Sequence, residues 1–254
     1  MRTPLLAANW KMHLNRREAK TLIEDLLKSI EGTDNDVLLC PPALLFDTVQ
    51  NLCASHSKVA TGVQNMHFAD KGAFTGEISA EMVKDAGASY AVIGHSERRS
   101  IFGETDDMCA KKVIQADAYG IVPVLCVGES LEQREKGQTK AVIAAQLEGS
   151  LAGFTPDSGQ RLVIAYEPVW AIGTGKTASS ADAEAVIKHI RERLSEKYGE
   201  RIANAVRILY GGSVKADNID ELMAQPNIDG ALVGGASLEA SSFARIVNFQ
   251  VAVK

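Results

Sequence analysis

The sequence predicts a closed (β/α)8 barrel, in which eight parallel strands alternate with helices. Short apolar runs alternate with longer amphipathic runs from end to end of the 254-residue chain. The short runs are rich in Val, Ile, Leu and Ala on both faces, which is typical of parallel strands covered by helices. Eight such units in about 250 residues also match the usual size of this barrel.

Each predicted strand is followed by a polar or Gly/Pro-rich turn and then by a helix-like segment. Helical spacing is clearest for Ala183, Val186, Ile187, Ile190 and Leu194, and a capping pattern at residues 179–182 precedes them. The predicted strands span residues 5–9, 37–40, 58–62, 90–93, 122–127, 162–166, 206–210 and 231–233.

An open, doubly wound sheet is the main alternative for strict βα alternation. Such a sheet binding a dinucleotide should carry GxGxxG after its first strand, but the chain reads Ala8-Asn9-Trp10-Lys11-Met12 there. The closed barrel is therefore favoured. No linker or shift in composition divides the chain, so we expect one domain over residues 1–254.

Composition excludes several classes of function. The net charge is −5 and no basic stripe is present, so nucleic acid is not an expected partner. No apolar run is long enough to cross a bilayer, and the N-terminus lacks the pattern of a signal peptide. The four cysteines, Cys40, Cys53, Cys109 and Cys126, form no CxxC pair. We therefore expect a reducing, cytoplasmic location and no zinc site.

A barrel brings the C-terminal ends of its strands to one mouth, where the chemistry of such barrels takes place. Polar groups are concentrated at those ends in this chain. They are Asn9, Lys11, Gln64, Asn65, His95, Glu129, Glu167 and the two glycine turns Gly211-Gly212-Ser213 and Gly234-Gly235.

Glu167 ends the sixth predicted strand and is followed at once by a flap. Pro168 biases Glu167 toward extended geometry, and Gly173 and Gly175 let the loop approach a ligand closely. A loop of this kind can close and exclude water. A solvent-facing carboxylate, or one paired with a lysine, is the alternative.

The segment Gly175-Lys176-Thr177 also invites a nucleotide-binding interpretation, because GxxxxGK[ST] is the phosphate-binding loop of many nucleoside triphosphatases. That motif requires glycine at position 170, where this chain has Trp170. The nucleotide-binding interpretation is therefore disfavoured.

His95 and Lys11 are the other charged or titratable candidates at the mouth. His95 precedes Ser96-Glu97-Arg98-Arg99, which can begin a helix, and a helix start beside an imidazole disfavours its cation. A neutral imidazole could donate a hydrogen bond to a carbonyl. Lys11 lies just after the first strand, with Glu97 as a candidate partner. Structural roles for both side chains remain open at this point.

The glycine pairs after strands seven and eight predict a phosphate cradle of backbone N–H groups, since these two loops are the frequent phosphate site of such barrels. Tight turns alone are the alternative. No cluster has metal-ligand spacing and no GxSxG elbow is present. The combination suits proton transfer beside a carbonyl on a small phosphorylated substrate.

These residues closely resemble the triosephosphate isomerase family. The matching segments run from residue 8 to residue 238 and include ANWKM, GAFTGEIS, VIGHSERR, PVLCVGE, AYEPVWAIGTGKTA, YGGSV and DGALVGGASL. The resemblance implies a TIM barrel. It also implies that dihydroxyacetone phosphate and glyceraldehyde 3-phosphate interconvert through an enediolate, without cofactor or metal.

The resemblance also implies residue roles. Glu167 matches the base and His95 the electrophile, while Asn9, Lys11 and its partner Glu97 match polar groups beside the substrate oxygens. The implied lid includes Pro168, Val169, Trp170, Lys176, Thr177 and Ala178. The implied phosphate site uses backbone N–H groups of Gly173, Ser213, Gly234 and Gly235.

The family is usually dimeric, and its third loop reaches into the partner's site. In this chain that loop is residues 64–79, with Thr75 at its tip, so the resemblance implies a homodimer. Two other classes of protein are alternatives. A Schiff-base aldolase would need a lysine inside the barrel, and a non-catalytic phosphosugar-binding protein would not need both Glu167 and His95.

Overall fold

The computed structural model describes residues 2–171 and 178–251, and in this part of the chain eight parallel strands form a closed barrel. The strands follow one another around the barrel in chain order, and β1 pairs with both β2 and β8. They are β1 Leu5–Asn9, β2 Asp36–Cys40, β3 Val59–Val63, β4 Tyr90–Ile93, β5 Val122–Val127, β6 Val163–Tyr166, β7 Arg207–Tyr210 and β8 Gly230–Val233. The predicted fold class is confirmed, and the predicted strand bounds differ by no more than one residue.

Helices surround the barrel, and several of them begin at residues whose side chains cap them. Asn15 and Glu18 form a capping box at the start of α1, and the Ser179 side chain accepts from the backbone N–H of Asp182 at the start of α8. The α-helices are α1 Arg16–Ser29, α2 Phe46–Cys53, α3 Ala80–Asp85, α4 Ser96–Phe102, α5 Asp106–Ala118, α6 Leu131–Glu135, α7 Thr139–Ser150, α8 Ser180–Tyr198, α9 Glu200–Ala203, α10 Ile219–Met223 and α11 Ala240–Val247.

The apolar core has two layers because successive strand side chains point to opposite faces. On β1, Leu5 and Ala7 belong to the cluster inside the barrel, whereas Leu6 and Ala8 belong to the cluster between the strands and the helices. Both faces of the strands are therefore buried, which explains their continuous apolar runs.

A buried carboxylate at Asp229 ties the first and last strands together, immediately before β8. It accepts from Arg2 Nε at 2.5 Å, from Arg191 Nη2 at 2.6 Å and from the backbone N–H of Ile208 at 2.9 Å. Its own carbonyl accepts from the N–H of Leu5 at 2.9 Å. Charge pairing and hydrogen bonding thus compensate the cost of burying the carboxylate.

All four cysteines are buried free thiols. Within residues 2–171 and 178–251, every helix is too short or too polar to cross a membrane.

Candidate active site

The polar strand ends converge at one mouth of the barrel, because every strand runs in the same direction. A cavity of about 330 Å³ lies there. Its lining includes Asn9, Lys11, His95, Glu167, Gly211, Gly212, Ser213, Gly234 and Gly235. The structure therefore brings together predicted residues that are separated by more than two hundred positions in sequence.

Glu167 lies directly after β6, and only 2% of it is exposed. Its Oε1 is 2.9 Å from His95 Nε2, and its Oε2 accepts from the backbone N–H of Ser96 at 2.9 Å. The backbone N–H of Glu167 continues the barrel pairing by donating to the carbonyl of Val127 at 2.8 Å. Strand pairing thus fixes the backbone while the side chain reaches the His95 loop.

Two glycines make room for Glu167. A Cβ at Gly128 would lie 1.7 Å from the carbonyl oxygen of Glu167, and one at Gly211 would lie 2.9 Å from its Cγ. No other residue fits such close approaches without displacing the acid. The first glycine of the Gly211-Gly212 turn therefore has a role in accommodating the acid, which the turn pattern alone did not indicate.

His95 is the N-cap residue of α4, and its Nδ1 accepts from the backbone N–H of Glu97 at 3.2 Å. An imidazole nitrogen that accepts carries no proton, so the proton of the neutral ring is on Nε2. Nε2 faces Glu167 and the cavity. The side chain therefore presents an N–H donor at the place where a substrate oxygen could bind.

The charge of His95 depends on Glu167. Burial is the largest single cause and lowers the pKa of His95, but the charge and hydrogen bond of Glu167, together with the charge of Glu97, outweigh it, so the net shift of the pKa is upward. The helix start after His95, which the sequence does indicate, disfavours the cation. The opposing carboxylate contact comes from a distant strand, so no local pattern around His95 predicts it.

Lys11 reaches the same cavity from the end of β1. Its Nζ is 2.6 Å from Glu97 Oε1, and its backbone N–H donates to Asn9 Oδ1 at 3.1 Å. The backbone φ of Lys11 is +52°, which is unusual for a residue with a side chain. The structure thus places Asn9, Lys11 and Glu97 as one group beside His95.

Glu129 is a second buried carboxylate at the mouth, and its sequence context alone predicts no specific role for it. It accepts from the Tyr166 hydroxyl at 3.1 Å and from Trp170 Nε1 at 2.9 Å. The Glu129 carbonyl accepts from the N–H of Val169 at 3.1 Å. Glu129 therefore holds the start of the predicted lid, and its position at a strand end was the signal for it in the sequence.

The structure describes some of the other predicted lid and phosphate residues. Pro168 is buried, and Val169 and Trp170 form part of a 3-10 turn over Val169–Ala171. Ser213 and the pair Gly234-Gly235 line the cavity beside Lys11. Gly173, Lys176 and Thr177 lie outside the described residues, whereas Ala178 is described and partly buried.

Thr75 is exposed within the loop 64–79, which follows β3. The loop is closed by a hydrogen bond from the N–H of His67 to the carbonyl of Ile78 at 2.8 Å. A second cavity of about 370 Å³ lies between this loop and the site, and it shares Asn9, Lys11 and His95 with the first. Across the described ranges, the acidic, histidine and cysteine side chains form no group that could hold a metal ion.

Eight parallel strands in a closed barrel, with a carboxylate, an imidazole and an ammonium group at their C-terminal mouth, define the class of (β/α)8-barrel enzymes. The family model described as triosephosphate isomerase matches residues 4–250. The chain belongs to the triosephosphate isomerase family, so the predicted family and the predicted class of enzyme, an isomerase, are confirmed.

Individual relatives agree over nearly their full lengths. The chain is 54% identical to the triosephosphate isomerase of Roseiflexus sp. strain RS-1 over 250 residues, which is 98% of both chains. It is 53% identical to that of Herpetosiphon aurantiacus and 52% identical to that of Chloroflexus aurantiacus. Both alignments cover 98% of this chain and 100% of the relative.

Proposed function

We propose that the protein interconverts dihydroxyacetone phosphate and D-glyceraldehyde 3-phosphate by moving one proton between neighbouring carbons. Family membership and the names of the relatives support this reaction. The observation that carries the assignment of residues is the 2.9 Å contact between Glu167 Oε1 and His95 Nε2 in a cavity of about 330 Å³. That volume lies at the small end of ordinary ligand pockets, which suits a three-carbon phosphate.

In the proposed mechanism Glu167 is the general base. Its carboxylate takes a proton from the carbon beside the substrate carbonyl, and the electron pair of that C–H bond forms an enediolate. His95 passes a proton from the hydroxyl oxygen of the first carbon to the former carbonyl oxygen, and Glu167 returns its proton to the neighbouring carbon. One hydrogen thus moves between the carbons and one between the oxygens, so no atom is gained or lost. The reaction needs no redox cofactor, because the oxidation of one carbon is balanced by the reduction of its neighbour.

His95 and Lys11 are the proposed stabilisers of the enediolate. The Nε2–H of His95 donates to the substrate oxygen, and Lys11 adds a positive charge near it, with Asn9 and Glu97 holding Lys11 in place. A positioned base alone contributes about 10²–10⁴-fold to a rate. Enzymes usually reach about 10⁶-fold or more, so these fixed donors must supply much of the rest.

The remaining predicted residues have binding roles in this proposal. Backbone N–H groups of Ser213, Gly234, Gly235 and Gly173 hold the phosphate, and the segment from Pro168 to Ala178 closes over it. An exposed enediol phosphate can lose its phosphate group. A lid that excludes water therefore protects the intermediate as well as strengthening the electrostatics.

We propose a homodimer in which the partner's loop 64–79 enters the second cavity, with Thr75 of one protomer approaching Asn9 and His95 of the other. Large apolar side chains around this face are exposed in the single chain, which suits burial against a second copy. They include Met12 at 94% and Phe102 at 67% exposure, both of which line the second cavity.

We further propose that residues 1–254 form a single domain and that the enzyme is cytoplasmic. The four buried free thiols suit a reducing compartment. A Schiff-base aldolase is disfavoured, because Lys112 is the one fully buried lysine in the described ranges and it lies on α5, outside the barrel.

One assay tests the proposed reaction. Purified protein is incubated with dihydroxyacetone phosphate in heavy water, and aldehyde formation and deuterium uptake at carbon are followed together. We expect both, because a carboxylate base exchanges its proton with solvent while the enediolate exists. Substrate that remains unconverted and free of deuterium would refute the proposal, whereas binding without turnover would favour a phosphosugar-binding protein.

A further inference from the structure

We propose that Gln64 is a positioning residue that holds Lys11 in its working conformation. The inference rests on the proposed role of Lys11 beside the substrate. Gln64 follows β3 directly and is partly buried. It touches the backbone of Lys11, so its effect on the reaction passes through Lys11.

The backbone of Lys11 needs such support. Its φ of +52° lies in the left-handed region, which residues with a Cβ avoid because the side chain crowds the backbone. A conformation of this kind persists only where the surrounding structure determines it. It directs the Lys11 ammonium to Glu97 Oε1, 2.6 Å away at the edge of the cavity.

Gln64 supplies the contact that fixes this backbone. Its Nε2 donates to the carbonyl of Lys11 at 2.9 Å and to the carbonyl of Cys40 at 2.9 Å. Cys40 ends β2, and its carbonyl also accepts from the N–H of Trp10 at 3.2 Å. One amide group thus joins the carbonyl of Lys11 to a rigid strand end, and it uses both of its hydrogens to do so.

The neighbour of Gln64 is anchored as firmly. Asn65 Oδ1 accepts from Lys112 Nζ at 2.8 Å, and Lys112, only 2% exposed, is also 3.0 Å from Glu104 Oε2. Gln64 and Asn65 begin the loop that carries Thr75, and both line the second cavity. The geometry therefore connects the proposed dimer loop to Lys11 through a single side chain.

The test compares Gln64→Glu and Gln64→Met with the wild type. Glutamate keeps the shape but removes both donors and faces two carbonyl oxygens, and methionine removes the polar group altogether. We expect kcat/KM to fall by about 10–100-fold, because a displacement of about 1 Å at a catalytic group can cost a factor of this size. If Gln64→Glu fails to fold, Gln64→Met carries the test.

A double-mutant cycle separates positioning from general support. Added to Lys11→Met, either Gln64 change should reduce kcat/KM by less than about twofold further, because the group that Gln64 positions is already gone. Sedimentation at the assay concentration establishes that each variant keeps the oligomeric state of the wild type. Gln50→Met is the matched control, since the Gln50 amide accepts from the Thr61 hydroxyl away from the site.

The outcomes are distinct. Wild-type kcat/KM in both Gln64 variants, or losses that simply add to that of Lys11→Met, would overturn the positioning role. Wild-type activity in Lys11→Met itself would instead remove Lys11 from the proposed mechanism.

Discussion

Two glutamates at the mouth of the barrel have the same chemistry but different surroundings. Both Glu129 and Glu167 are buried. The oxygens of Glu129 are occupied by the Tyr166 hydroxyl and the Trp170 indole, which bind it into the scaffold. Glu167 instead contacts His95 and the Ser96 N–H at the edge of the cavity. Partners, more than burial, therefore distinguish the proposed base from the structural acid.

Shortening Glu167 by one methylene tests its role directly. In Glu167→Asp the carboxylate retreats by about 1 Å, and kcat should fall by about 100-fold with only a small change in KM. Steady-state kinetics in both directions measure this. Glu135→Asp, at an exposed position on α6, is the matched control and should keep wild-type rates. Unchanged turnover in Glu167→Asp would remove Glu167 from the role of base.

The contact with Glu167 also predicts a pH dependence. Because the folded state raises the pKa of His95 above its ordinary 6.5, the pair stabilises the fold fully below that pH. This contribution is lost as the pH rises through the raised folded-state pKa. Glu167→Gln should therefore lower the unfolding free energy more at pH 5.5 than at pH 8.5. These two pH values lie about one unit below and about two units above the ordinary pKa of histidine.

Urea unfolding of both proteins measures this difference, and NMR titration of the ring reports its cause. The pKa of His95 should be lower in Glu167→Gln than in the wild type. Equal titration of His95 in the two proteins would contradict the coupling.

At the scale of elements, the short turn after β6 links the proposed base to the lid. The 3-10 turn Val169–Ala171 follows Glu167-Pro168 and is bound to Glu129 through both the Val169 N–H and the Trp170 indole. The indole also lies against Arg134, whose guanidinium carbon is 4.4 Å from the ring centroid. Glu129 therefore anchors the start of the lid, directly after the proposed base.

Trp170→Phe tests that anchor. Phenylalanine keeps an aromatic ring but removes the donor to a buried carboxylate, which should lower the unfolding free energy by about 2 kcal/mol. We also expect kcat/KM to fall about tenfold. Tyr198→Phe is the control, because it removes a comparable hydrogen bond, to the Phe154 carbonyl at 3.0 Å, far from the mouth. It should lose stability but not activity, and equal activity in the two variants would contradict the anchor.

The secondary-structure elements were the part of the structure that the sequence predicted best. Strands buried on both faces give apolar runs with clear ends, so β1 and β4 were predicted to the residue. The convergence of Glu167 and His95 followed from the barrel alone. The positive φ of Lys11 and the bonds of Gln64 did not, because they depend on contacts between strand ends that no local pattern records.

At the scale of the whole molecule, closure of the barrel depends on contacts between distant parts of the chain. The Asp229 carboxylate accepts hydrogen bonds from Arg2, from Arg191 and from the N–H of Ile208. It is therefore bonded to the N-terminal segment, α8 and β7. Breaking a buried charge pair costs more than the pair itself contributes, because an unpaired charge remains.

Asp229→Asn should therefore lower the unfolding free energy by about 3 kcal/mol while leaving KM unchanged, since Asp229 lies before β8, at the opposite end of the strand from the mouth. Chemical denaturation measures the change. Asp217→Asn, at an exposed residue, is the control. A loss of less than about 0.5 kcal/mol would mean that the buried network does not stabilise closure.

The proposed dimer makes activity a property of two chains. Removing residues 73–77, around Thr75, should give monomers with strongly reduced kcat/KM, because the second cavity then lacks its occupant. Analytical ultracentrifugation and activity assays at matched concentrations measure both effects. Ile114→Glu, which places a charge on a half-exposed apolar residue of α5, should leave the dimer intact. A fully active monomer would contradict the proposal.

The two hydrogen bonds on Glu167 bear on inhibitor discovery. His95 and the first residue of α4, Ser96, engage both carboxylate oxygens, so a molecule that occupies the cavity without contacting the acid leaves those bonds intact. Mimics of the enediolate must instead compete with them. A screen against the conformation in which Glu167 is bonded to His95 and Ser96 would therefore enrich compounds that bind beside the carboxylate. Charged planar analogues would instead bind the conformation in which the carboxylate has moved away from Ser96.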